Sequence, residues 1–137
     1  MKTIGEAILN NAALPVNAVT VCVLDDDPSV LKALVRLLSS AEWRVATFSD
    51  PHLFLRYAQT QAPAVVVLDM SMPIMHGLEV QTRLHQVSPD TLVIVLTAKD
   101  DPTVRAKALA AGAFAFFLKP QDDEELLAAI ETAVSEG

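Results

Sequence analysis

Residues 65–79 read VVVLDMSMPIMHGLE. The run over residues 64–68 is short, unbroken and apolar, as a strand is when a parallel sheet buries it on both faces, and it stops at Asp69. Met70, Ser71, Met72, Pro73 and Gly77 mark a loop, after which Leu78 and Leu84 fall on one side of a helix that ends near Ser88 and Pro89. A buried strand, a carboxylate at its carboxyl end and a helix returning over the sheet form one unit of an α/β fold.

The same unit recurs on both sides of this stretch. Upstream, residues 19–24 are almost all apolar and end at Asp25, Asp26 and Asp27; Pro28 then takes the tolerated first position of a helix whose stripe is Leu31, Leu34, Val35 and Leu38. Residues 44–48 form the next strand, and Ser49, Asp50 and Pro51 cap a helix with Leu53, Phe54 and Tyr57 inward. Downstream, residues 91–96 end at Thr97, and Asp101 with Pro102 starts a helix that Gly112 closes where a left-handed residue is wanted. Residues 114–118 end at Lys119, and Pro120 stops the strand. Acid at residues 122–125 suits the first turn of a last helix carrying Leu126, Leu127, Ile130 and Val134. The alternation predicts one α/β domain over residues 19–137, with five strands and five helices, preceded by an extension over residues 1–18.

Composition narrows the function classes. Hydrophobic residues make up 52% of the 137-residue chain and aromatics only 5%, so the core is expected to be built from Val, Leu, Ile and Ala. A net charge of −7 argues against a surface of clustered Lys and Arg for phosphate backbones, so no direct nucleic-acid contact is expected of this domain. No apolar stretch reaches the roughly 18 residues of a membrane span. Gly5, Glu6, Asn10 and Asn11 interrupt what would have to be the apolar part of an export signal. The single cysteine, Cys22, lies in an apolar run and reads as a packed thiol in a cytoplasmic protein.

In an open parallel sheet, residues just past the carboxyl ends of the strands converge on one crevice. Four of the five ends carry functional side chains: Asp25 with Asp26, then Asp69, Thr97 and Lys119. Three carboxylates held together repel one another unless a cation relieves the field, and an oxygen-only donor set suits Mg²⁺. A carboxylate nucleophile, a divalent ion, a lysine and a hydroxyl donor suffice for phosphoryl transfer, which asks a protein for positioning and charge neutralisation.

The runs VCVLDDDPSVLKALVRLL and VVVLDMSMPIMHGLE, the pair Thr97 and Ala98, and Lys119 followed by Pro120 resemble the receiver domains of bacterial two-component response regulators, over about residues 19–135. The intervals between Asp25, Asp69, Thr97 and Lys119 are similar to those of the nitrogen-fixation-regulator branch. The resemblance implies a doubly wound, flavodoxin-like sheet in the order 2-1-3-4-5, with helices on both faces making three layers. It implies that Asp69 accepts a phosphoryl group from a histidine kinase or histidine phosphotransfer protein, and that Asp25, Asp26, Asp69 and the backbone carbonyl of Ser71 hold Mg²⁺. It further implies that Thr97 and Lys119 complete the pocket, that Thr97 and Phe116 form a switch, and that homodimerisation is one output of phosphorylation. Readout is expected through the face of the fourth helix, fifth strand and fifth helix. Gln121, where an aromatic often follows the Lys and Pro pair, and Lys99, two residues after Thr97, depart from the commonest pattern.

Other functions compete with this one. A receiver piece of a longer DNA-binding regulator, and a degenerate receiver that binds partners without phosphorylation, share the fold; the latter usually loses a pocket residue, and none is missing here. A haloacid-dehalogenase-like hydrolase would want a second acid two residues after the nucleophile, where Ser71 stands. Any catalysis expected of the chain is limited to self-phosphorylation from small phosphodonors and autodephosphorylation. His52, His76 and His85 show no ligand spacing and are expected in solvent or loops.

Overall fold

The computed structural model describes residues 2–4, 7–9 and 20–136. In chain order its elements are β1 (Lys2–Ile4), β2 (Ala7–Leu9), β3 (Thr20–Leu24), α1 (Pro28–Ser40), β4 (Arg44–Phe48), α2 (Pro51–Gln61), β5 (Val65–Leu68), α3 (Gly77–Val87), β6 (Leu92–Thr97), α4 (Pro102–Ala110), β7 (Ala115–Leu118) and α5 (Asp123–Glu136). Val19, the expected start of the first parallel strand, lies outside the described residues.

Three helices begin with the same device. Asp27, Asp50 and Asp101 each sit extended before a proline, and each accepts a backbone N–H two residues on, at 2.9, 2.8 and 3.0 Å. The carboxylate satisfies a donor that the helix start leaves open, a contribution of about 1 kcal/mol per cap, and the proline loses nothing because its missing N–H had no partner there. Helix α3 departs from the pattern: Nδ1 of His76 accepts from Leu78 N at 3.1 Å.

β3, β4, β5, β6 and β7 pair in parallel. Numbered among themselves, they stand in the expected order 2-1-3-4-5. Among the described residues the sheet nevertheless has seven strands. The first two come from the segment read as an extension, with β1 antiparallel to β2 and β2 antiparallel to the outer edge of β4, where Ile8 faces Thr47 and Leu9 faces Ala46.

Because side chains alternate across a strand, the sheet divides the core in two. Cys22, Leu24, Val66, Leu68 and Val95 face Phe54, Ala58, Val80 and Leu84 from α2 and α3. Val21, Val23, Val67, Ile94 and Leu96 face Leu34, Leu38, Leu126 and Ile130 from α1 and α5. All four residues of β5 are buried, as its uninterrupted apolar sequence requires, whereas β7 is half-buried throughout.

Candidate functional site

The site is assembled by backbone hydrogen bonds at the carboxyl edge of the sheet. Asp25 N donates to Phe48 O at 3.1 Å, Asp69 N to Leu24 O at 3.1 Å and Lys119 N to Thr97 O at 2.9 Å. The pairings continue the parallel ladder by one step, so the side chains that follow three strand ends are aimed from a rigid frame.

The expected acids come together. Carboxylate oxygens of Asp25, Asp26 and Asp69 all lie within 4.8 Å of one another, with Asp25 and Asp69 buried and Asp26 exposed. Asp27 is separate: its Oδ1 accepts from the backbone and hydroxyl of Ser29, which holds its carboxyl below the usual range. The acidic run thus divides into two pocket residues and one helix cap.

Lys119 Nζ donates to Asp25 Oδ2 at 2.7 Å, and Asp27 N donates to Asp25 Oδ1 at 2.9 Å. Burial nonetheless dominates, and with the neighbouring charge of Asp69 it pushes the Asp25 carboxyl above its ordinary value despite the lysine. At the end of β6 the Thr97 hydroxyl is buried, and its Oγ1 has no hydrogen-bond partner. A buried hydroxyl that bonds nothing is costly, and an acceptor brought to this edge of the sheet would relieve that cost.

Ser71 and Asp26 line a cleft of about 530 Å³ beside the acids, together with Met72, His76, Lys99 and Asp101. Met72, His76, Lys99 and Asp101 are lining residues that sequence reasoning did not assign to the site; the available signal was their location in loops that follow strand ends. Gly77 closes the loop over this edge, its N–H donating to Met70 O at 2.9 Å. Phe116 is not gathered into the pocket. It is half-buried in β7 opposite Val95, packs toward the α2 and α3 side of the core, and carries the Arg105 guanidinium 5.3 Å above its ring.

The donor set fits a small hard cation. All donors are oxygens, two of the three carboxylates are buried in mutual repulsion, and the third is open to solvent, which suits an ion that retains several waters. Among the described residues no helix is long and apolar enough to cross a membrane.

A family model of the response regulator receiver domain matches residues 21–131. The response regulator protein TodT of Pseudomonas putida is 38% identical over 117 residues, which cover 85% of this chain and 52% of that protein. The chain therefore spans about half the length of this curated relative. Among solved structures, the BeF3-activated receiver domain of DrrB, from Thermotoga maritima, is similar at 34% identity with a TM-score of 0.76, covering 85% of this chain and 97% of that one. The chemotaxis protein CheY4 of Vibrio cholerae is similar at 27% identity and a TM-score of 0.77, covering 84% and 98%. Receiver domains are signalling modules rather than enzymes in the usual sense, and those of two-component systems interact with histidine kinases. With the expected sheet order and an acidic pocket at its carboxyl edge, this chain belongs to the response regulator receiver domain family.

Proposed function

We propose that Asp69 is the phosphoacceptor of this receiver, taking a phosphoryl group from a histidine kinase or a histidine phosphotransfer protein in the cytoplasm. The observation that carries the reading is the grouping of Asp25, Asp26 and Asp69 within 4.8 Å, beside a buried Thr97 hydroxyl that bonds nothing. Asp25, Asp26, Asp69 and the Ser71 carbonyl would hold Mg²⁺, which when bound neutralises charge on the carboxylates and the phosphoryl oxygens.

A carboxylate oxygen of Asp69 attacks phosphorus as the bond to the donor nitrogen breaks, and that nitrogen leaves with the electron pair. Lys119 exchanges Asp25 for a phosphoryl oxygen, and the Thr97 hydroxyl turns to donate to another. The same pocket supports self-phosphorylation from small phosphodonors and autodephosphorylation. Movement of Thr97 is coupled to an inward turn of Phe116, so that α4, β7 and α5 present a changed face to partners, a second copy included. The spacing of pocket residues supports the nitrogen-fixation-regulator branch, and residues 19–137 form the receiver behind an extension over residues 1–18.

Incubation with Mg²⁺ and acetyl phosphate tests the reading. The wild-type protein should gain one labile phosphoryl by intact mass, and Asp69→Asn, an isosteric change, should remain folded and gain none. Persistent labelling of the variant would refute the assignment.

A second reading, that the chain is the receiver piece of a longer DNA-binding regulator, is supported by its coverage of only 52% of TodT. The mass of the protein recovered from its native source distinguishes the two.

A further inference from the structure

Helix α3 carries one polar residue on its buried face. Gln81 lies between Leu78 and Leu84 on the inward side and is only 5% exposed. Its Nε2 donates to Ala108 O at 3.1 Å, across to α4, while its Oε1 is buried without a partner. The orientation of the amide is fixed by chemistry, because turning it over would set two carbonyl-type oxygens against each other.

The carbonyl it meets belongs to the end of α4. That helix closes in a six-to-one and five-to-two pair of bonds, Ala113 N to Ala108 O and Gly112 N to Leu109 O, each at 3.0 Å, with Gly112 at φ +99°. Ala108 O therefore accepts from Ala113 and from Gln81 at once. Ala113 leads directly into Phe114, whose N donates to Val93 O at 2.7 Å, and thence into β7 with Phe116. Beside Gln81 the seam between α3 and α4 is not filled: a cavity of about 230 Å³ is lined by Gln81, His85, Thr91, Ala111 and Gly112.

We infer that Gln81 is a positioning residue that latches the end of α4, and through it the start of β7, in the arrangement with Phe116 half-exposed. The inference rests on the reading of Asp69 as phosphoacceptor and adds to it a restraint on the readout face. An apolar residue at this place would pack the seam as well, so the polar choice needs a reason. The half-satisfied amide supplies one: a bond whose gain is largely offset by its own orphaned oxygen holds weakly and releases at small cost. The neighbouring cavity gives the end of α4 room to shift when it does.

The test is Gln81→Met, close in volume and without the donor, measured in two ways. Hydrogen exchange in the protein without metal or phosphodonor should show faster exchange of the Gly112 and Ala113 amides, with strand β5 unchanged. With Mg²⁺ and acetyl phosphate, the variant should be labelled faster than wild type by up to about fivefold, the ceiling that one ordinary hydrogen bond without the offset would set. Gln81→Asn, too short to span the seam, should behave as Gln81→Met does. Unchanged exchange at Gly112 and Ala113 would overturn the latch, and so would labelling at the wild-type rate. Failure of the wild-type protein to label would instead refute the Asp69 reading, with the exchange measurement still deciding the latch.

Discussion

Gly77→Ala tests how the loop after Asp69 is held. A Cβ added at Gly77 would stand 2.5 Å from Met70 Cε, 2.7 Å from Met70 Cα and 2.9 Å from Asp69 O. The methionine methyl is the end of a flexible chain and can turn away, but the other two atoms are backbone of the segment that carries Asp69. Overpacking of this kind costs about 3 kcal/mol, and the better helix propensity of alanine returns at most about 1 kcal/mol at the first helical residue. The net loss of about 2 kcal/mol corresponds to a melting temperature lower by about 8 °C for a domain of this size. Because the strain falls on the Asp69 carbonyl, labelling from acetyl phosphate should slow as well. Thermal unfolding followed by circular dichroism, with the labelling rate alongside, reads both. A variant that melts within about 2 °C of wild type would show that the close approach is not a constraint and would refute the reasoning.

Two further expectations follow from buried groups. The Asp25 carboxyl is raised above 3.8, chiefly by burial. The native state therefore binds that proton more tightly than the unfolded chain, and Asp25 contributes stability below 3.8 that is lost as pH rises through its higher native value. Denaturant titrations without metal should show wild type losing stability relative to Asp25→Asn as pH rises from that point; a constant difference between the two refutes the sign. Cys22 is buried on the inward side of β3 and its thiol is pushed up by burial, so a thiol reagent should find no reactive sulfur in the folded protein and one equivalent after unfolding. Rapid modification of the native protein would contradict the burial.

The parallel part of the fold was legible because its signals are local and repeated. Asp27, Asp50 and Asp101, each before a proline, announce helix starts that the structure confirms by hydrogen bonds. The strands between them stand out as apolar runs of the length a two-sided burial needs. The N-terminal strands were not legible: Lys2–Ile4 and Ala7–Leu9 are three residues each, below the length at which alternation or an apolar run carries a signal, and their pairing depends on the edge that β4 offers. The acidic pocket could be read from strand ends alone, since backbone pairing fixes where those residues go. What could not be read was the partner each would choose. Lys119 was expected to meet a phosphoryl oxygen, whereas the structure shows it bonded to Asp25. Gln81 stands midway between Leu78 and Leu84 on an apolar stripe, but a single polar residue on such a stripe has no distinctive sequence company and points to no partner.

The bond from Lys119 to Asp25 makes the lysine a stand-in counter-ion. The acids were expected to repel one another without relief until a cation arrived, yet the ammonium group already rests 2.7 Å from the most buried of them. A divalent ion bound there would compete with this tenant at Asp25, and its net hold would be weaker than three bare carboxylates would give. The displaced ammonium would then be free to donate to an anion that follows the ion in. On the proposed reading one side chain would couple the two guests, since an ion seated at Asp25 would favour release of Lys119 toward the anion.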